Sequence, residues 1–310
     1  MKRNLFLVSI IFILISSSCF SQTRGGAWKR DRSKIVLGIG ATNFLGELGG
    51  ANKIGSNSFS LRDFDFPSIR PCLGVGYLYV LNRFIDIKTN LNFAYIGGAD
   101  KLTKEPFREN RNLAFRSLVI ELQTQAEFFL TFSRSGHRYN LSGVKGISAY
   151  AFSPYVFVGI GGFYFNPKAK YEGKWYSLRK LHTEGQGMIP TRKNYSPVQL
   201  CIPFGLGLRY KVNRQWTVGI EFGVRLTFTD YMDDVSTTYV DPEALKDAYG
   251  DVAKELANPS PTKDDPSSPY YRSTLAGQQR GDPTRNDSYM FGLVHVYYTL
   301  NQGFLPKLKF

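Results

Sequence analysis

The chain has 310 residues, with aromatic residues at 15%, thirty glycines and three cysteines. That composition is unlike a cytosolic α/β enzyme or a disulfide-stapled secreted domain and fits a β-protein with an aromatic outer surface. The formal charge of +14 is spread along the chain. Without a dense Lys/Arg cluster and interleaved aromatics it gives little support to nucleic-acid binding and suits basic loops near anionic lipid or an acidic partner.

Residues 1–21 read as a secretory signal peptide. Lys2 and Arg3 precede an apolar run from Leu5 to Ile15, and Ser16 to Gln22 is small and polar. Cleavage near Ser21–Gln22 is the preferred reading, with lipidation of Cys19 second because Ser16 stands where a lipobox has Leu. Past Gln22 no apolar run approaches the roughly 20 residues a membrane helix needs. Residues 22–33 are expected to be a periplasmic N-terminal segment.

From there the pattern has period two, the signature of strands with one apolar face. The first strand candidate, 34–42, sets Ile35, Leu37, Ile39 and Ala41 against Gly38, Gly40 and Thr42. In 69–80, Leu73, Val75, Tyr77 and Tyr79 oppose Cys72, Gly74 and Gly76; in 84–96, Ile85, Ile87, Leu91, Phe93 and Tyr95 oppose Asp86, Lys88, Asn90 and Asn92. Residues 118–133 place Leu118, Ile120 and Leu122 opposite Glu121, Gln123, Gln125 and Glu127. Residues 153–165 alternate with an uncertain phase near Gly161-Gly162. In 199–212, Leu200, Ile202, Phe204 and Leu206 oppose Cys201, Gly205, Gly207, Arg209 and Lys211; in 215–229, Trp216, Val218, Ile220 and Phe222 oppose Gly219, Glu221, Gly223 and Arg225. The last, 288–300, carries Val294, Val296 and Tyr298 in a less clean phase.

These eight strands exceed the usual globular length of about 5–6 residues and reach the roughly 9–11 a tilted membrane strand requires. A soluble sandwich would also alternate, but its polar face would be richer in exposed Lys, Glu and Thr than in Gly. The expected fold is all-β: an eight-stranded antiparallel transmembrane β-barrel over 34–300, with long extracellular loops, both termini periplasmic, and 301–310 as a periplasmic C-terminal tail. Links near 81–83 and 213–214 are short, whereas those near 43–67, 97–113, 166–198 and 230–287 are long, the alternation expected of outer-membrane barrels. The extracellular loop 230–287 has a helix candidate from Pro242 to Leu256 and an irregular or mobile stretch from Asn258 to Pro269. The medium link 134–150 becomes a large periplasmic turn.

Three segments carry a family resemblance: Gly40-Ala41-Thr42-Asn43-Phe44-Leu45-Gly46-Glu47-Leu48-Gly49-Gly50; Thr227 to Tyr239, including Asp230-Tyr231-Met232-Asp233-Asp234; and Arg280-Gly281-Asp282-Pro283 with Asn286-Asp287-Ser288-Tyr289. Together they resemble the PorG-type outer-membrane barrels of the type IX secretion and gliding machinery of Bacteroidota. The resemblance implies a non-enzymatic accessory component without catalytic residues or cofactor, which couples a periplasmic ring of a lipoprotein and a soluble subunit to the outer membrane. Arg134, His137, Arg138 and Lys145 in the periplasmic turn, and the tail Gln302 to Phe310, are the expected partner contacts.

Asp86, Lys88, Glu121, Glu127, Arg209, Lys211, Glu221 and Arg225 should point into a narrow lumen and pair there. An ion-pair plug conducting little or nothing is preferred to a gate or proton path. Asp230, Asp233, Asp234 and Asp241 could collect Ca²⁺, but their spacing matches no EF-hand loop, and solvated acids or pairing with Arg280 and Arg285 is the stronger reading. The three histidines, His137, His182 and His295, assemble no Ser/His/acid set in sequence. Tyr77, Tyr79, Tyr95, Tyr210, Trp216, Tyr297 and Tyr298 suit aromatic girdles. The alternative functions are a small passive pore or ligand-binding barrel and, third, a lipid-modifying enzyme.

Overall fold

The computed structural model describes residues 32–48, 68–130, 152–213 and 215–300. Its strands are β1 (Ser33–Leu45), β2 (Arg70–Val80), β3 (Ile85–Ala99), β4 (Ala114–Phe129), β5 (Phe152–Tyr171), β6 (Lys174–Ser177), β7 (Val198–Lys211), β8 (Trp216–Thr227) and β9 (Ser288–Thr299). All pairings between them are antiparallel. β4 pairs with β5 and β1 with β9, so eight strands close into a ring and the short β6 stands outside it. Closure leaves no barrel edge with unpaired amides, the condition for crossing a bilayer with strands. No helix among the described residues is long and apolar enough to cross a membrane.

The period-two pattern sorts onto the two walls. Ile39, Leu200 and Ile160 are 64%, 65% and 72% exposed on the outside, whereas Val36, Leu78, Glu121 and Tyr297 on the inside are fully or almost fully buried. Apolar exposure this continuous has no place in water and marks the lipid-facing surface of an outer-membrane barrel. On β4 the apolar band runs from Phe128 to Leu118. At about 3.3 Å per residue on a tilted strand this is roughly 25 Å of membrane. Tyr77, Tyr210, Trp216 and Tyr298 are exposed near the short-turn end, with Trp216 and Tyr298 rings 4.8 Å apart.

Two sequence expectations are corrected. Tyr297 does not join the girdle: it is completely buried, between outward Val296 and Tyr298, because strand parity turns it inward. The phase of β5 does not break at Gly161-Gly162; alternation continues through Tyr164 and Lys168 outside and Phe163, Phe165 and Ala169 inside. β5 therefore runs past the expected end of its strand and folds back on β6 through Glu172-Gly173, at φ +46° and +83°. Consecutive left-handed residues suit the tight turn of a twisted hairpin.

The chain enters at Arg32 and leaves at Leu300 beside the short 81–84 turn, where Lys34 pairs with Thr299 and Ser33 with Tyr79. The β3–β4, β5–β7 and β8–β9 connections lie at the opposite, external end. They hold helices α1 (Pro106–Arg111), α2 (Leu178–Leu181), α3 (Pro242–Tyr249) and α4 (Asp251–Ala257). The Glu105 carboxylate accepts from Arg108 N at 2.7 Å and starts α1 ahead of Pro106; Asp241 accepts from Glu243 N at 3.1 Å and starts α3 ahead of Pro242. The single helix expected over 242–256 is divided by Gly250 at φ +87°. Residues 258–269 form turns without helix or strand, tied down by Asn258 Nδ2 to Thr274 O at 3.0 Å and by Thr262 Oγ1 to Asn110 Oδ1 at 2.6 Å.

Candidate functional site: a filled lumen under an external cap

An eight-stranded ring has space inside only for side chains. The inner wall of β7 and β8 makes that space with glycine: a Cβ at Gly205 would lie 2.1 Å from Phe222 O, and one at Gly207 would lie 2.3 Å from the Tyr155 ring. Long polar side chains from the facing strands fill the space thus left.

Toward the periplasm, Arg209 reaches Asp86 at 2.7 Å and also pairs with Glu127. Lys88 Nζ lies 3.1 Å from Glu127 and 2.5 Å from Glu221. Glu221 Oε2 also accepts from Tyr155 OH at 2.8 Å and Gln125 Nε2 at 3.1 Å, and its other oxygen lies 3.7 Å from His295 Nε2. The Arg209 guanidinium lies over the rings of Tyr297 at 4.5 Å and Tyr155 at 4.9 Å. Further out, Glu121 faces Arg225 Nε at 3.4 Å and accepts from Tyr289 OH at 2.5 Å and Asn92 Nδ2 at 2.9 Å. Arg225 also lies over Phe291 at 4.2 Å. Water cannot screen these charges, so each carboxylate is held by a cation, and Glu121, Glu127 and Glu221 by neutral donors as well.

Lys211 stands apart from the other lumen residues named from the sequence. It ends β7 opposite Thr217, is exposed, and pairs with no carboxylate among the described residues. The strand has reached the periplasmic mouth there, and a flexible ammonium gains more from water than from a buried pair. Lys34 was missed. It comes from β1, two strands round the ring from β3, within electrostatic range of Asp86 and Glu127; its parity with Val36 was the available signal. Cys72 and Cys201 are free, buried thiols in the inner wall. Arg134, His137, Arg138 and Lys145 lie outside the described residues, as do 1–21 and the tail 302–310.

Above the ion pairs the lumen turns aromatic. Phe44 meets Phe115 edge-on at 4.9 Å, Phe165 stacks on Tyr195 at 5.9 Å, and Tyr195 stacks on Tyr231 at 4.8 Å. Over this layer sits a cap in which the external connections bind one another. Asp233 accepts from Leu48 N at 3.2 Å and Val235 N at 3.0 Å; Asp287 accepts from Met232 N at 2.9 Å; Glu47 accepts from Asp282 N. Arg280 donates to Glu184 Oε1 at 2.9 Å and to Asp234 O at 2.5 Å, and Glu184 accepts from Ser236 N at 2.9 Å and Thr237 N at 3.0 Å. Arg111, held by Asp100 at 2.7 Å, donates to Arg280 O at 2.6 Å.

The expectation of solvated acids in 230–241 is corrected for all but Asp241, the cap of α3. Asp233 and Asp234 are fully buried and Asp230 nearly so. Asp234 accepts from Tyr195 OH at 2.7 Å and from Thr183, while Arg280 pairs with Glu184 and Arg285 with Asp282 at 3.4 Å. Among the described residues no group of His, Cys, Asp and Glu is arranged to hold a metal ion. His182 stacks on Tyr249 in the cap, at 4.5 Å, far along the chain's path from His295 in the lumen. Burial, reinforced by Asp233 and Asp230, raises the Glu47 carboxyl to about 9. Burial likewise raises Asp230 to about 8 and Asp233 to about 7. Asp287 is pushed well up by burial and then by Asp233 and Asp230. These acids crowd one another, so Glu47 and Asp230 favour the protonated form at neutral pH while Asp233 is poised near its midpoint.

A family model described as a domain of unknown function, DUF6089, matches residues 6–251. The chain belongs to the DUF6089 family. The matched stretch takes in every strand before β9. No curated protein matches the chain. Among solved structures, the DUF6089 chain is similar to Neisserial surface protein A at 4% identity and TM-score 0.37, covering 86% of this chain and 97% of that one. It is similar to outer membrane protein OprG of Pseudomonas aeruginosa at 10% identity and TM-score 0.35, covering 88% and 97%. It is similar to Outer Membrane Protein W of E. coli at 13% and TM-score 0.35, covering 86% and 98%.

Three outcomes test this site. The wild-type DUF6089 barrel in planar bilayers should show no stable channel openings, and steady openings would contradict a filled lumen. Arg209→Ala leaves Asp86 without its cation and should cost about 3–5 kcal/mol, read as a lower urea midpoint for the folded barrel in detergent. The cap acids have folded-state values above the roughly 4 of an unfolded carboxyl, so the native cap binds more protons than the opened one. Its stabilisation is complete below about pH 4 and declines as pH rises through about 7, 8 and 9. Hydrogen exchange at Leu48, Met232 and Val235, corrected for intrinsic rate, should show the opening free energy falling with pH, and less steeply in Glu47→Gln. A flat profile would refute the shared-proton cap.

Proposed function

We propose that this DUF6089 barrel is a non-enzymatic outer-membrane component of the type IX secretion and gliding machinery, anchoring a periplasmic ring of a lipoprotein and a soluble subunit. One observation carries the reading. The three segments that resemble PorG-type barrels are far apart in sequence, yet they are joined in one unit: Leu48 to Asp233, Glu47 to Asp282, Met232 to Asp287 and Arg280 to Asp234. The residues behind the resemblance thus build the external seal of a filled barrel. A sealed, filled barrel suits attachment better than passage of solute. Its contacts with other proteins then fall on its two ends and its rim, and the segment with Arg134, His137, Arg138 and Lys145, between β4 and β5, is the one this reading assigns to the ring.

The test is a pull-down from cells after mild crosslinking. Wild type should recover both ring subunits, and an Arg134→Glu/Arg138→Glu/Lys145→Glu variant that still folds should recover several-fold less. Failure to recover either subunit, together with intact export in a deletion strain, would end the proposal.

A further inference from the structure

The lipid-facing wall changes character abruptly at its external border. On β4 the outward residues Leu122, Ile120 and Leu118 are followed by Arg116; on the neighbouring β5, Ile160 and Tyr164 are followed by Asn166, Lys168 and Lys170. The registers coincide: Leu118 faces Asn166 and Arg116 faces Lys168 directly across the ladder. Two exposed cations thus stand side by side on one face, an arrangement that destabilises a sheet unless an anion lies between them. Lys170 extends the row on the same face, opposite Trp175 of β6.

No carboxylate among the described residues pairs with Arg116, Lys168 or Lys170. The nearby acids are engaged elsewhere: Glu255 pairs with Lys263, and Asp251 with Lys246 at 2.9 Å, both by Tyr171, whose side chain leaves β5 on the other face. Glu172 occupies the hairpin turn itself. Aromatic rings instead hold the guanidinium. Arg116 Cζ lies 4.6 Å from the Tyr95 ring and 5.3 Å from the Trp175 ring, with Trp175 half exposed. Stacking of this kind fixes the plane of the guanidinium while leaving its N–H rim free for a planar or tetrahedral anion.

We propose that Arg116, Lys168 and Lys170, with Tyr95 and Trp175 as walls, bind the phosphate of a phosphorylated glycolipid in the outer leaflet. The depth selects a lipid over a soluble partner. The cations begin one outward step beyond the last apolar side chain of β4, where acyl chains give way to headgroups, and interfacial aromatics flank them. Arg supplies paired donors to phosphate oxygens and the two lysines supply charge.

The test uses the full barrel in phosphatidylcholine nanodiscs doped with bisphosphorylated lipid A, or with the same lipid A stripped of phosphate, and native mass spectrometry to read retained lipid. Wild type should retain the phosphorylated form preferentially, and Arg116→Gln/Lys168→Gln should lose roughly tenfold of that preference. Lys246→Gln/Lys254→Gln, on helices of the external loop, should leave it unchanged. Heat-modifiable gel migration checks folding. Should the double variant fail that check, Trp175→Leu, which keeps every charge, should also weaken retention. Equal retention of the two lipids by wild type, or undiminished preference in the folded variants, would overturn the proposal. Full displacement by excess inorganic phosphate would overturn it too, assigning the ledge to a free ion.

Discussion

Lipid offers no hydrogen bond to a peptide group, and this single fact organises the molecule. Every amide in the bilayer must find its partner in a neighbouring strand, which forces the ring closed through the β4–β5 and β1–β9 ladders. Closure at eight strands then fixes the bore, and the bore admits side chains but no water column. Alternation sends every second residue into that bore, so charged residues there have to be matched with one another. Glu221, with Lys88, Tyr155 and Gln125 on one oxygen, is the outcome of that sequence of constraints.

The two buried polar regions solve desolvation differently. In the lumen, cations from β3, β7 and β8 meet the carboxylates of β3, β4 and β8, and neutral hydroxyls and amides complete the shells. In the cap, Glu47, Asp230, Asp233 and Asp287 crowd together while Arg280 is spent on Glu184 and the Asp234 carbonyl. Backbone N–H groups from distant segments and retained protons take the place of counter-ions there. One region is held by charge pairing, the other by backbone donors and by carboxyls whose burial together raises their proton affinity.

The barrel was legible in the sequence because its outside obeys a local rule: the side chains of Ile35 to Ile39 or Trp216 to Phe222 announce their face without reference to any other strand. The errors come where local parity meets height along the barrel axis. Lys211 has the inward parity of Arg209 but has already reached the mouth; Tyr297 has the chemistry of a girdle residue and the parity of a lumen one. Lys34 was overlooked because a lone lysine at a strand start carries no mark of the carboxylates that neighbouring strands will bring near it. The cap could not be read at all from spacing. Glu47 meets Asp282 and Leu48 meets Asp233 only after the ring has brought the ends of β1, β8 and β9 together, so Asp233 and Asp234 looked like ordinary loop acids. Within the same loop, α3 was visible from Asp241-Pro242, whereas the interruption at Gly250 required knowing its backbone angle.

The ladder between β1 and β9 joins the earliest strand to the latest. Assembly therefore cannot finish while the chain is still arriving: until Ser288 to Thr299 has emerged, seven strands form only an open, curling sheet with two adhesive borders. A nascent or clipped polypeptide lacking the segment from Ser288 onward would expose those borders to proteases and to its own copies. Closure of the ring therefore waits on the strand synthesised last, which must pair with β8 on one side and β1 on the other.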